Sequence, residues 1–112
     1  MGQYRLVVNL DKKQFIHPHR LGDGAKLMEL STTATALCVL LADANGRGGG
    51  DCRSNHKVIG SWAGDRVVVT GDYADEGLYG VPGETSLYDH AQEDFEDISA
   101  AVKAALDEDE NS

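Results

Sequence analysis

The stretch Tyr4-Arg5-Leu6-Val7-Val8-Asn9-Leu10-Asp11-Lys12-Lys13-Gln14-Phe15-Ile16-His17-Pro18 decides the fold class. Tyr4, Leu6, Val8 and Leu10 alternate with Arg5, Val7 and Asn9, the two-residue period of a strand with one buried face. Asp11-Lys12-Lys13 is a polar turn. Gln14 to His17 then reads as a return strand, ended by Pro18 because proline has no N–H to give to a ladder. The two runs predict a β-hairpin.

Working outward, the loop Leu21-Gly22-Asp23-Gly24 leads into apolar residues at Leu27, Leu30, Ala34, Leu37 and Leu41, the spacing of a helix that stops at Asn45-Gly46. Ser31-Thr32-Thr33 is the point where that helix could divide in two, and Cys38 belongs on its apolar side. Val58-Ile59 and Arg66 to Thr70 are β-rich and joined by Gly60-Ser61-Trp62-Ala63-Gly64-Asp65, which predicts a second hairpin with turn glycines at positive φ. Gly71 to Thr85 is a loop. Ser86 caps a last helix, with Asp89 placed to complete the cap and Tyr88, Ala91, Phe95, Ile98, Val102 and Leu106 facing the core. The expectation is an α+β domain over residues 1–106: a small antiparallel sheet from two hairpins, with helices packed on one face. Residues 107–112, all acidic or polar, read as a disordered tail because their charge opposes the negative end of the helix dipole.

At 112 residues the chain holds one core, and hydrophobic and charged shares of 41% and 26% are those of a globular protein. The net charge of −9 is unevenly spread. Residues 1–71 carry nine Lys or Arg against six Asp or Glu, whereas residues 72–112 carry Lys103 alone against thirteen acids. Direct nucleic-acid binding is disfavoured, since it needs a basic face to displace counterions. A basic protein partner, met by the acidic C-terminal helix, or the chain's own arginines would satisfy that charge instead. The longest apolar run, Ala36 to Ala42, is too short for a membrane span, and no basic-then-apolar leader opens the chain, so a cytoplasmic setting is expected. Cys38 and Cys52 do not make a disulfide framework.

Residues of catalytic or ligand-binding type gather in three connections. The sharpest is Gly46-Arg47-Gly48-Gly49-Gly50-Asp51, where consecutive glycines let backbone N–H groups wrap an anion. It lacks the Lys-Ser/Thr ending of a P-loop and follows a helix, so that motif does not apply. Arg20, Arg47, Arg53 and Arg66 could supply charge to a nucleotide-like or other anionic ligand held by Gly48, Gly49 and Gly50, with the sole tryptophan, Trp62, as a stacking surface. His17, His19, Cys52 and His56 have the ligand types of a zinc site but not convincing spacing. In a phosphoester hydrolase or nuclease, His17 or His19 would be the general base, Asp23 or Asp51 its orienting partner and an arginine the anion stabiliser. No motif fixes that geometry, so the balance of the sequence is towards binding without catalysis and without a cofactor.

The segments Met1-Gly2-Gln3-Tyr4, Asn9-Leu10-Asp11-Lys12, His17-Pro18-His19-Arg20-Leu21-Gly22-Asp23-Gly24, Asn45 to Asp51, Gly60 to Arg66 and Gly71-Asp72-Tyr73 together resemble a group of small, functionally uncharacterised proteins of bacteriophages and bacterial genomes. The resemblance spans most of the chain up to Tyr73 and carries no activity with it. It implies a setting, that of phage accessory proteins that bind host machinery or defence components. In that setting the acidic third would suit a mimic of nucleic acid that blocks a DNA-binding protein.

Overall fold

The computed structural model describes residues 3–43 and 57–110. The predicted hairpin is present: β1 (Arg5–Asn9) and β2 (Gln14–Ile16) pair antiparallel, with Val8 opposite Phe15. β3 (Val67–Gly71) pairs antiparallel with the other edge of β1, and β4 (Glu96–Asp97) runs parallel to β2, giving the order β3-β1-β2-β4. The helices are α1 (Ser31–Leu41), α2 (Leu87–Asp94) and α3 (Ser99–Glu110). The α+β class expected from the sequence is therefore the observed one.

Several details differ, each for a physical reason. Residues 57–64 form turns, so the second hairpin is absent and the sheet is mixed. These turns lie against the end of α1: the Gly60 N–H donates to the Val39 carbonyl at 2.9 Å and the Trp62 N–H to the Leu40 carbonyl at 2.9 Å. Gly60 has φ +76°, and a Cβ there would come within 2.6 Å of the Ala42 carbonyl oxygen, so both conformation and close approach require glycine.

Helices cover both faces of the sheet. Val7 and Ile16 pack with Ala36 and Leu40 of α1, Val102 and Ala105 of α3, and Trp62; Leu6, Val8 and Phe15 pack with Leu87 and Ala91 of α2 and with Val81. β1 is consequently buried on both sides, and the apparent alternation of its sequence hid that Val7 is as buried as Leu6 and Val8.

The long C-terminal helix expected over 86–106 is broken. Its apolar stripe is continuous, but Phe95 leaves helical geometry, Glu96 donates its N–H to the Lys13 carbonyl and Ile98 to the Phe15 carbonyl, each at 3.0 Å. One helix cannot lie on two faces of a sheet. β4 carries the chain around the edge, from α2 on one face to α3 on the other. Ser86 caps α2 by accepting the Asp89 N–H, as expected, and α3 continues to Glu110 through residues read as tail.

Cys38 is exposed, not core. The buried stripe of α1 is Thr33, Ala36 and Leu40, with Leu37 and Leu41 beside it, and Cys38 projects between Ala36 and Leu40 on the opposite side of the helix. Leu27 and Met28 precede α1 in a short 3-10 turn (Leu27–Glu29) and are 55% and 94% exposed.

Asn9 is a buried polar residue with 0% exposure, and both its amide oxygen and its amide nitrogen are hydrogen-bonded. Its Oδ1 accepts the N–H groups of Asp11 (2.9 Å) and Lys12 (2.8 Å), and its Nδ2 donates to Asp65 at 2.8 Å. Removing the amide leaves two turn N–H groups and a carboxylate without it. Asn9→Ala is expected to lower unfolding free energy by about 2–4 kcal/mol, read as a fall in urea midpoint with an unchanged slope.

Candidate functional site

The polar connections around His17 to Asp23 and around Trp62 to Arg66 are each held by partners elsewhere in the fold. At the β1–β2 turn, Arg66 donates its backbone N–H (2.7 Å) and Nε (2.9 Å) to the two carboxylate oxygens of Asp11. Lys12 pairs with Asp65 beside it. The hydrogen bonds from Arg66 hold the Asp11 carboxyl below its usual range, those from Lys12 and Asn9 do the same for Asp65, and Asp11 raises Arg66 in return.

Arg20 lies beyond the other end of β2, in the 3-10 turn Pro18–Leu21, and its guanidinium pairs with Asp97 of β4 at 2.8 Å. The opposite Asp97 oxygen accepts the Ser99 N–H at 2.9 Å and so starts α3. Arg20 and Arg66 therefore sit at opposite ends of the sheet, each already matched by a carboxylate, and do not share a pocket.

Asp23, expected to orient a histidine, caps α1 across the loop instead. Its carboxylate accepts the N–H groups of Thr32 (3.1 Å) and Thr33 (2.6 Å), which no residue adjoining the helix serves. Burial raises its pKa, but these bonds outweigh burial and leave the carboxyl below its ordinary value. Trp62 is 0% exposed, and its Nε1 donates to Gln14 at 2.8 Å. It is a core residue, and no base could stack on its ring.

The histidines stay near the surface. The His17 and His19 rings stack with centroids 5.3 Å apart, His19 meets Tyr4 edge-on at 6.4 Å, and His17 Nδ1 accepts the His19 N–H at 3.3 Å. The His17 backbone N–H donates to Ser99 Oγ at 2.7 Å, and His19 Nδ1 lies 3.2 Å from the Asp23 carbonyl. Among the described residues, no carboxylate hydrogen-bonds to either imidazole, and no three His, Cys, Asp or Glu side chains are grouped to hold a metal ion. Burial, then the neighbouring His19 and Arg20, lowers the His17 pKa, which favours the neutral ring. Arg47, Gly48, Gly49, Gly50, Asp51, Cys52, Arg53 and His56 lie outside the described residues.

Two surface features were not read from the sequence. A cleft of about 570 Å³ lies between the first turn of α1 and the end of α3, lined by Ser31, Thr32, Thr35, Lys103 and Asp107. Lys103, the one cation among the described residues that line it, is paired with Asp107 at 3.2 Å. A second, apolar groove of about 360 Å³ runs between β3 and the start of α1, with Val69, Leu27, Met28, Leu30 and Leu37 among its walls. The sequence signal for it was the charge-free run Val67-Val68-Val69-Thr70 beside exposed Leu27-Met28.

Exposed acid residues are concentrated between β3 and α3. Asp72, Asp75, Glu76, Glu84, Asp89, Glu93, Asp94 and Glu96 are all exposed, and no Lys or Arg occurs between Arg66 and Lys103. Comparison with protein-family models, with curated proteins and with solved structures returned no match.

Asp11, Asp23 and Asp65 all have lowered pKa values in the folded chain. Their stabilising effect is complete above the free-carboxyl value of 3.8 and is lost as pH falls through the folded values. Thermal melts are expected to hold a plateau near neutral pH and to drop steeply in acid. Asp23→Ala should cost about 1 kcal/mol at neutral pH, and the gap between variant and parent should close once the parent's Asp23 is protonated.

Proposed function

We propose that the chain is a non-catalytic binding protein that presents its acidic C-terminal third to a basic surface on a partner protein, of the kind that otherwise holds nucleic acid. The observation that carries this reading is the run of eight exposed carboxylates from Asp72 to Glu96 with no lysine or arginine among them. Such a field attracts a cationic groove over several ångströms and competes with phosphates for it. Among the described residues Asp94 pairs with His90 alone, at 3.1 Å, and Glu96 accepts a neutral amide from Gln14 at 2.9 Å, so no lysine or arginine there neutralises either.

The rival reading, an anionic ligand held by arginine-rich bends, draws less support because Arg20 and Arg66 already have carboxylate partners. The resemblance to small phage proteins fits a partner drawn from host or defence machinery. α2 and β4 present Asp89, Glu93, Asp94 and Glu96 together, and these four are the residues on which binding should turn. Asp97 is left out of that set because it starts α3 and holds Arg20.

Affinity capture from a bacterial lysate is expected to retain a basic nucleic-acid-binding protein that raised salt or added DNA releases. The combined variant Asp89→Asn, Glu93→Gln, Asp94→Asn and Glu96→Gln should lose that protein while keeping the parent's circular dichroism. Undiminished retention by the variant, or capture indifferent to salt, would overturn the reading.

A further inference from the structure

We propose that two copies of the chain pair through β3, antiparallel about a two-fold axis at Val69, to form one continuous sheet. The two edges of the sheet are built differently. β4 is two residues long and both are acidic, which discourages a further strand, whereas β3 is five residues long and carries neither charge nor proline. Among the described residues β3 pairs with β1 alone.

The hydrogen-bond phase of β3 is set by bonds at its two ends, from the Leu10 N–H to the Arg66 carbonyl and from the Asp72 N–H to the Tyr4 carbonyl, both 2.9 Å. In an antiparallel ladder this turns the backbone groups of Arg66, Val68, Thr70 and Asp72 towards β1 and those of Val67, Val69 and Gly71 outwards. Centring a second β3 on Val69 sets Val69 against its own copy and Val67 against Gly71, so every outward group meets an outward group.

Charge selects this register over its neighbours. With Val69 on the axis, Arg66 of each copy falls opposite Asp72 of the other, at both ends of the pairing. A shift of one step in one direction puts Arg66 against Thr70, and in the other direction puts Asp72 against Val68, so neither keeps the opposite-charge pair. Arg66, with its side chain 74% exposed, keeps Nη1 beyond the Nε and Nη2 that hold Asp11, and exposed Asp72 keeps Oδ2 beyond the Oδ1 that accepts the Tyr4 N–H at 3.0 Å, so these remaining atoms can meet across the axis. Opposite charges facing each other across strands favour a register, and like charges penalise it.

The apolar groove gives the pairing something to bury. Val69, 39% exposed, lies on the same face of the sheet as its neighbour Val7, and Leu27 and Met28 stand beside it. A two-fold at Val69 brings the grooves of both copies together. The interface is then isologous, using the same patch twice.

Sedimentation or light scattering of the full chain at high micromolar concentration is expected to give twice the 12.0 kDa chain mass. Val69→Lys, which sets two ammonium groups against each other on the axis, should give the single-chain mass with the parent's circular dichroism. Should that variant fail to fold, Val69→Pro serves, because proline is tolerated where an edge N–H faces outwards. Asp72→Arg should weaken association about tenfold or more, since it sets two guanidinium groups together at each end. A single-chain mass for the parent overturns the proposal and leaves the edge to a strand from another protein; a dimer indifferent to Val69→Lys and Asp72→Arg overturns it in favour of a different face.

Discussion

The Asn9 amide holds the molecule's architecture at one point. β1 is the central member of an antiparallel pair of ladders, and the strands on either side of it end at the same place: β2 begins after the turn that Asn9 organises, and β3 begins after the Asp65-Arg66 segment that Asn9 and Asp11 hold. A buried amide is costly unless each of its groups is used. Here the use is what joins residues more than fifty positions apart in the chain: Asn9 to Asp65 and Asp11 to Arg66. The charged residues around it gain little individually, being exposed. Their effect lies in fixing the register of β3 against β1 from one end while Asp72 and Tyr4 fix it from the other.

Once β1 is buried on both faces, the rest of the topology follows from the need to cover both. α1 and the turns of residues 57–64 close one side, and α2 closes the other. α3 has to return to the first side, and the short excursion of β4 is the route. Asp97 does three things at that crossing: it extends the ladder beside Phe15, starts α3 and pairs with Arg20. Gln14 links Trp62 in one core layer to Glu96 at the same edge. Residues that looked like parts of a ligand site are thus the couplings between layers.

How much could be read from the sequence depends on whether the signal was local. The first hairpin, the Ser86 cap and the α+β class rest on short patterns, namely alternation, a turn and a capping residue three positions from the N–H it accepts, and these were legible. The second hairpin was not, because Val58 and Ile59 have β-prone side chains whose environment is decided by the distant end of α1. The break at Phe95 left no mark, because an apolar stripe at helical spacing is equally compatible with two helices facing opposite ways. Asp23 and Arg66 stand out in the sequence as candidate site residues and Asp11 only as part of a polar turn, yet their partners are nine to fifty-five positions away, and nothing in spacing distinguishes a capping carboxylate from a catalytic one. Trp62 among glycines fits a buried ring as well as a stacking surface, and Gly60 decides for burial by letting the backbone fold tightly against the end of α1.

The distribution of charge gives this small sheet two unlike borders. Internal ion pairs use up the cations near both ends: Lys12 and Arg66 at the β1–β2 turn, Arg20 at β4. What is left outside is a carboxylate-rich border around α2 and β4 and an uncharged border along β3. Water screens the first only partly, and its field reaches several ångströms, so it is suited to meeting a large cationic surface; the second acts only at contact, through backbone groups and apolar side chains. In the strand order β3 and β4 are opposite edges, so Glu96 of β4 stays uncovered when β3 is occupied, whereas Asp72, directly after β3, belongs to both surfaces. Joining two chains at the uncharged border would set two acidic borders at the far ends of a single sheet, where their mutual repulsion is least and where a partner with two basic sites could hold both at once.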